Sequence, residues 1–398
     1  MTEATGGSPL VATAGIAIRV EQSIDRIAAD LPAPLSALAG IYQSRGWLAA
    51  MERMSPVATR YLVASEGDRL LGLLPVYLLE LAAAGHYRPR LAFGNSDEPA
   101  GPIAVLGGRA GYTTGWMLGA EPGRRASVLA ALLTEAAALA AGSGAELITA
   151  QYLPAAEAAL LCQTGWADPA EVIAHSALAQ LELPGTGFAD YLATLPSSHR
   201  STVRRDLARF ARSGFTLSYG RLSEALSYGP ELLAAVAAKH GGQPDVDRMR
   251  RAMVEQAAGL DEVSTVVTAA PAGGRPAAFS LSYTQADTLF VRLAGLDHAR
   301  AEASGAYFVT TYYEPIRLAY QLGLRRVHVG IASYRPKVLR GAALAPLYGI
   351  LRRSDGAAID PGWRRAVPGW LMSSLRAELG ALTPPAALFE LPPSPAPA

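Results

Sequence analysis

Apolar and polar positions change period repeatedly along the chain, and residues 288–341 show the pattern most clearly. Residues 288–294 alternate and are rich in β-forming side chains, which predicts a strand. Residues 306–322 carry apolar side chains at helical spacing, and Pro315 interrupts that pattern, which predicts a kinked helix. Residues 327–331 predict a second short strand. The segment therefore predicts a strand, a polar loop, a helix and a strand in one sheet, joined by a right-handed crossover.

The same succession of predicted elements occurs twice. Residues 16–152 and 216–331 follow a similar order of strands, helices and a hairpin, which is typical of an α/β fold present in two copies. We expect a tail at 1–15, domains at 16–183 and 184–353, and a short helix with a Pro-rich tail at 354–398. Each domain is expected to have a central mixed β-sheet flanked by helices.

Composition narrows the classes of protein. The chain has 398 residues, of which 50% are hydrophobic and 17% are charged, so it is predicted to fold into two or three domains. A net charge of +1 gives no global field that steers the protein onto nucleic acid. The single cysteine, Cys162, excludes an internal disulfide framework and a cysteine metal site. With no evident secretory signal and no apolar run of roughly 18 residues, we expect a cytoplasmic protein without a membrane span.

The polar loop at 297–305 is a candidate ligand site. Ligands in α/β sheets bind where strands end and helices begin, and backbone N–H groups at a helix N-terminus attract anions. Ser304 and Gly305 stand at that helix start, and Arg292 and Lys337 are predicted to converge nearby. The alternative is that Arg292, Lys337 and Arg340 are solvated surface cations.

A basic helix precedes this segment. Residues 191–213 predict one long helix, or a helix pair broken at Pro196, with an apolar stripe that includes Val203 and Phe210. The remaining surface carries Arg200, Arg204, Arg205, Arg209 and Arg212. Arginine binds phosphate and carboxylate in a bidentate manner. The alternative is a solvated helix face that is partly paired with Asp206.

Several motifs resemble one family. The positions Phe308, Thr311, Tyr312, Tyr313 and Ile316 resemble the F-x-x-C-Y-Y-x-x-I helix of the peptidoglycan biosynthesis/recognition group of FemAB-like proteins. Arg292 with Gly295 is similar to that group's R-x-x-G. Gly330 with Lys337, Arg340 and Gly341 looks like its G-x(6)-K-x-x-R-G ending, with one extra residue before the lysine. The likeness covers roughly residues 40–350 in layout and residues 198–341 in motifs, and it departs from the family at Val309, Thr311 and Glu314.

This resemblance implies tandem acyltransferase domains of the GNAT type, which transfer an activated acyl group to an amine. It implies acyl-CoA or aminoacyl-tRNA as co-substrate and no tightly bound cofactor. The loop at 297–305 has one glycine and does not match the Q/R-x-x-G-x-G/A pyrophosphate signature of GNAT domains. The sequence also shows no P-loop and no spacing typical of metal ligands.

Acyl transfer needs positioning, removal of a proton from the amine, and stabilisation of an oxyanion. Lys337 is the candidate for stabilising the oxyanion or a carboxylate, and Tyr334, Tyr313 or Glu314 are the candidates for proton relay. The acceptor-binding candidates are Arg292, Tyr312, Tyr313 and Arg340, and the donor-binding candidates are Arg204, Arg205, Ser304 and Gly305. His328 is interpreted as a packed histidine in preference to a general base.

Three hypotheses follow from these residues. The first is an N-acyltransferase that forms an amide bond on a small amine or amino-acid-like acceptor. The second is an aminoacyl-tRNA-dependent transferase that forms a peptide bond. The third is a non-catalytic binder of peptidoglycan-like peptides that has kept the fold.

Overall fold

A computed structural model describes residues 15–27, 31, 37–54, 57–81, 84–94, 101–357, 359 and 361–391. The chain divides into two compact units. The first unit contains Met1–Ala177 and Pro346–Ala398, and the second contains Leu178–Ala345. Most of the predicted N-terminal tail and the last seven residues of the Pro-rich tail lie outside the described residues.

The strands alternate with helices along the chain, as the periodicity predicts. The strands are β1 Ala17–Glu21, β2 Ala58–Glu66, β3 Arg69–Leu79, β4 Ile103–Leu106, β5 Met117–Leu118, β6 Leu147–Leu153, β7 Ile173–Glu182, β8 Phe215–Gly220, β9 Ser264–Pro271, β10 Ala278–Gln285, β11 Thr288–Leu296, β12 Arg326–His328 and β13 Ala343–Arg353. The helices are α1 Arg45–Met54, α2 Pro89–Phe93, α3 Arg125–Gly142, α4 Ala155–Gln163, α5 Phe188–Thr194, α6 Ser197–Ala211, α7 Gly229–Lys239, α8 Val246–Leu260, α9 His298–Ala301, α10 Ala306–Phe308, α11 Glu314–Gln321, α12 Tyr334–Val338 and α13 Pro361–Leu379.

In the first unit the strands pair in the order β1-β2-β3-β4-β6-β13, and β5 pairs with β3. The β4–β6 pair is parallel, and the other pairs with a defined register are antiparallel. The helix α3 lies on this sheet, because a Cβ added to Gly72 of β3 would be 3.0 Å from Val128 on α3. The segment Pro122–Gly142 includes α3. By its length and composition alone, it could cross a membrane. Its buried leucines and alanines pack in the core of this unit.

In the second unit the order is β7-β12-β11-β10-β9-β8. The β11–β12 pair is parallel, and the other pairs are antiparallel. The crossover between the two parallel strands contains α10 and α11, so the predicted strand, helix and strand are confirmed. Each unit therefore consists of an antiparallel meander, a helical crossover to a parallel strand, and a closing antiparallel strand. This confirms the predicted α/β fold with a repeated unit and mixed sheets flanked by helices.

The last strand in the order of each unit contains a unit boundary. Residues 346–353 of β13 belong to the first unit, where β13 pairs with β6. Residues 178–182 of β7 belong to the second unit, where β7 pairs with β12. The unit boundaries therefore fall inside β7 and β13. The order of predicted strands and helices along the sequence contains no signal for these boundaries.

The predicted kinked helix consists of three pieces. The helices α10 and α11 flank a π-helical turn at Val309–Tyr313. Pro315 lies two residues after the end of the turn and lacks the N–H that a regular helix would donate to the carbonyl of Thr311. Gly323 follows α11 with φ 68°, the left-handed conformation expected of a C-cap glycine. Near the C-terminus, the helix that was predicted to be short is α13, which has 19 residues, and Phe389 beyond it is buried.

Candidate active site in the second unit

Three side chains from separate segments form a buried ionic cluster. The hydroxyl of Tyr313 donates to Asp206 Oδ2 over 2.6 Å, and Nε of Arg340 donates to that hydroxyl oxygen over 2.8 Å. The guanidinium of Arg340 also forms an ion pair with Asp206. Asp206 is 4% exposed and Arg340 is 3% exposed. Burial raises the pKa of Tyr313, so this hydroxyl stays protonated and acts as a donor to the carboxylate.

Arg340 also contacts an aromatic ring, a backbone carbonyl and a second tyrosine hydroxyl. Its guanidinium carbon lies 3.6 Å from the centre of the Phe308 ring, and Nη1 donates to the carbonyl of Pro336 over 2.9 Å. The hydroxyl of Tyr191 donates to the carbonyl of Arg340 over 2.8 Å. A cation that is stacked, paired and bonded in this way anchors α12 to α6 and the π turn. The surface-cation alternative for Arg340 is therefore wrong, and its described contacts are with protein groups.

An open groove of about 450 Å³ lies over this cluster. Its floor includes Asp206 and Arg340, and its rim carries Arg205, Arg209 and Arg335. Arg205 and Arg209 are four residues apart on α6 and so share one face. Arg204 is rotated away from them and is not among the groove residues. The groove thus presents cations to a ligand, and half of the predicted arginine pair belongs to it.

The predicted donor-binding residues Ser304 and Gly305 have packing contacts. Ser304 Oγ donates to the carbonyl of Ala301 over 2.6 Å and accepts from the N–H of Ala306 over 3.0 Å. Gly305 has φ 80°, and a Cβ there would lie 3.1 Å from the carbonyl oxygen of Asp206. A larger residue would push α10 away from α6, so these two residues bring the crossover against the groove.

Lys337 lies on α12 and is 7% exposed. Its Nζ donates to the carbonyl of Ile331 over 2.9 Å and to that of Ala332 over 2.7 Å. Ala332 and Ser333 have φ of 59° and 46°, a strained conformation for residues with side chains. The ammonium therefore stabilises a strained turn just beyond β12, and the surface-cation alternative is wrong for Lys337 as well.

His328 at the end of β12 is fully buried. Its Nδ1 accepts from the N–H of Gly330 over 3.2 Å, and its ring packs 5.2 Å from that of Phe290. Burial, followed by the charge of Lys337 and then by that of Arg292, lowers the pKa of His328 to about 3. A neutral, packed histidine is the interpretation made from the sequence. Arg292 lies half-buried on β11.

The buried state of His328 predicts a pH dependence of stability. Its pKa is about 3 in the folded chain against an ordinary value of 6.5, so the unfolded state binds more protons between these pH values. The free energy of unfolding should therefore be fully retained above pH 6.5 and fall as pH drops toward 3, by about 1.4 kcal/mol per pH unit for this residue. Urea titrations from pH 7 to 4 measure the slope, which His328→Gln should flatten by that amount. A His328 proton resonance that titrates near its ordinary pKa would contradict the assignment.

The other predicted site residues lie around the helical crossover between β11 and β12. Glu314 is buried, accepts from the Tyr219 hydroxyl over 2.6 Å and pairs with Arg317. Burial, with Glu314 next in effect, raises the pKa of Tyr219 to about 12. Tyr334 is buried at the start of α12, with its ring centre 6.0 Å from Lys337 Nζ. Tyr312 is 2% exposed and points into the core beside Tyr307.

Asp206 is the member of the ionic cluster that was not among the predicted site residues. The alternative interpretation of the basic helix paired it with arginines of that helix, whereas its ion pair is with Arg340. The signal was its position, since Asp206 follows Val203 by three residues and precedes Phe210 by four, on the apolar stripe. Within the described part of the chain, no group of three or more histidine, cysteine or acidic residues is arranged to hold a metal ion.

A family profile and several solved structures are similar to this chain. The profile of the FemAB-like family, described as peptidoglycan biosynthesis/recognition, matches residues 35–381. The crystal structure of FemX aligns with 80% of this chain and 92% of its own at 11% identity, with a TM-score of 0.54. A protein of unknown function from Bacteroides thetaiotaomicron VPI-5482 aligns over 77% and 88% at 14% identity, with a TM-score of 0.49. A tandem GNAT protein from the clavulanic acid biosynthesis pathway aligns over 82% and 91% at 16% identity, with a TM-score of 0.44. No curated protein matches this chain.

Proposed function

Because this chain belongs to the FemAB-like family, we propose that it is an N-acyltransferase that forms an amide bond between an activated acyl donor and a small amine. The observation that carries the proposal is the cationic groove over the buried Asp206–Tyr313–Arg340 cluster. Both donor types implied by the family likeness, an acyl-CoA and an aminoacyl-tRNA, are polyanions. Arg205 and Arg209 are exposed on the groove, and no described carboxylate forms a salt bridge with either of them. They suit a phosphate-bearing donor.

The proposed reaction has simple chemistry. The acceptor ammonium loses a proton, and its nitrogen attacks the acyl carbonyl to form a tetrahedral oxyanion. Collapse of this intermediate, after the attacking nitrogen has lost a second proton, forms the amide bond and expels the donor's thiolate or ribose alkoxide, which takes up a proton. The positive charge of Lys337, held beside the turn at Ile331 and Ala332, is proposed to stabilise the oxyanion. The buried cluster fixes α12, and thereby Lys337, against α6.

One observation favours the aminoacyl-tRNA alternative among the possible donors. The start of α9 is occupied by the chain's own carboxylate, since Asp297 Oδ1 accepts from the N–H of Arg300 over 3.1 Å and Asp297 pairs with the Arg300 side chain. A CoA pyrophosphate needs open N–H groups at such a helix start. The basic rim on α6 provides another surface for phosphates, and a nucleic acid backbone fits an open groove with separated cations.

The proposal is tested by incubating the pure chain with acyl-CoA or charged tRNA and candidate amines, and by determining the mass of the products. A mass increase of the amine by the acyl group is the expected result. If neither donor yields an amide with any amine while labelled peptidoglycan-like peptides bind, the non-catalytic binder is the better description.

The donor is distinguished by two double variants of α6. Arg205→Glu with Arg209→Glu should weaken tRNA binding by about 100-fold or more at low salt, because two phosphate contacts become repulsive. Arg204→Glu with Arg212→Glu makes the same charge change outside the groove and should have a much smaller effect. Filter binding across a salt series measures both. Equal weakening in the two pairs would mean that the groove is not the contact, and unchanged tRNA binding in the first pair would remove the tRNA donor.

A further inference from the structure

Buried polar side chains without a hydrogen-bond partner gather in the first unit, near the turn that follows β4. Gln43 is 2% exposed, Thr114 and Tyr77 are 0% exposed, and neither the Gln43 amide nor the two hydroxyls bond to any described protein group. Leaving such a group unpaired costs about 1–3 kcal/mol. Native proteins keep few such groups, and a bound water or ion is one of the usual reasons for each.

Two of these groups lie beside Gly108. A Cβ added to Gly108 would lie 2.7 Å from Thr114 Oγ1 and 3.1 Å from the Gln43 amide nitrogen. The hydroxyl and the amide therefore lie against the same stretch of backbone, and a residue larger than glycine would clash with them. The turn is also strained, because Ala110 has φ 59° in a region that residues with a Cβ seldom adopt.

Arg109 brings a cation to the same turn. Burial lowers the pKa of Arg109, and the groups that act on it electrostatically are the hydroxyls of Tyr77 and Tyr87. No carboxylate of the described residues pairs with its guanidinium. A partly buried guanidinium without a counter-ion is costly, and an anionic ligand would compensate it with charge-assisted hydrogen bonds.

The position of the cluster in the sheet agrees with a binding role. The strands β4 and β6 are parallel, and the turn containing Gly108 and Arg109 follows the carboxyl end of β4. At the end of β6, Tyr152 has φ 59°, and its carbonyl accepts from the N–H of Thr114 over 2.9 Å. The carboxyl ends of parallel strands are the usual ligand-binding edge of an α/β sheet.

We propose that the first unit contains a second binding site, for a small oxyanion that also carries hydrogen-bond donors. Arg109 and the hydroxyls of Tyr77 and Thr114 would donate to a carboxylate or phosphate. The amide oxygen of Gln43 would accept from an N–H or O–H of the same ligand. The site contains none of the residues proposed for acyl transfer, so binding there is independent of the proposed reaction.

Calorimetric titration of the full chain with inorganic phosphate and, separately, with glycine at constant ionic strength tests the site. Saturable binding of phosphate alone identifies a phosphorylated ligand, and binding of glycine alone identifies an amino-acid-like one. Arg109→Met should weaken the binding about tenfold or more, because it removes the charged donor. Arg69→Met is the matched control, since it removes an exposed arginine of the same unit that pairs with Glu121. Binding of neither probe, or equal binding by both variants, would overturn the proposal.

Thr114→Val keeps the shape of the side chain and removes only the hydroxyl. This variant therefore separates a loss of binding from a loss of folding. We expect weaker binding of the probe with an unchanged or higher melting temperature, because an unpaired buried hydroxyl does not stabilise the fold. A lower melting temperature with unchanged binding would show that the hydroxyl is structural and would overturn its place in the site.

Discussion

Lys337→Ala should lower turnover by about 100-fold or more while the chain remains folded, because a preorganised cation near a developing oxyanion contributes several kcal/mol to the transition state. The lysine holds the carbonyls of Ile331 and Ala332, so its loss also relaxes the strained turn at the end of β12. Steady-state kinetics with the donor and amine found by product mass measure the effect. A loss in kcat at unchanged KM indicates action on the transition state, whereas a raised KM alone indicates a role in holding the acceptor.

Lys239→Ala is the matched control for this experiment. Lys239 is the only other lysine in the chain, is exposed and pairs with Glu302 on the surface of the same unit. We expect near-normal kinetics for it. Lys337→Arg restores a positive charge with a different shape, and partial recovery relative to alanine would separate the charge from the packing. Normal kinetics for Lys337→Ala would place the chemistry elsewhere.

Asp206→Ala should destabilise the second unit by about 3–5 kcal/mol, because it leaves the buried guanidinium of Arg340 without its counter-ion. The Tyr313 hydroxyl also loses its acceptor. Urea titration followed by circular dichroism measures the free energy of unfolding. Arg340→Ala should cost a similar amount for the reciprocal reason, so it is unsuitable as a mild control for kinetics.

The double variant Asp206→Ala with Arg340→Ala should be more stable than the sum of the two single losses implies, since neither charge is then left alone. Asp247→Ala, an exposed carboxylate in the first turn of α8, is the control and should cost no more than about 1 kcal/mol. A loss below about 1 kcal/mol for Asp206→Ala would mean that the cluster is not a stabilising element.

The local periodicity of apolar residues was sufficient to predict the elements of the second unit. The strand, kinked helix and strand between 288 and 328 appear close to the predicted bounds, because alternation and helical spacing report which face of an element is buried. Pro196 separates α5 from α6, one of the two possibilities that the sequence left open. The motif likeness around Phe308 and Lys337 also led to the family, since it depends on residue types at fixed spacing.

The candidate site was only partly predictable. Arg205 and Lys337 were identified from the sequence, but Arg204 is turned away from the groove, and the burial of Lys337 and Arg340 was not foreseen. Of the 35 lysine and arginine residues of the chain, two are lysines. A lysine at position 337 is therefore unusual for this composition, which marks it as a candidate site residue. Asp206 was hidden among arginines because its partner is distant in sequence.

The sequence by itself determined the succession of strands and helices, the kink before Pro315, the repetition of one α/β layout and the family. These properties depend on residues that are close together in the sequence, because hydrophobic periodicity and the missing N–H of proline act over a few residues. Only the tertiary structure decided which arginines face the groove, and that β13 pairs with β6 and β7 with β12. It also decided the pairing of Asp206 with Arg340 and the polar cluster around Gly108. Each of these depends on residues far apart in sequence, and a buried charge or hydroxyl acquires its role only from the groups that packing brings to it.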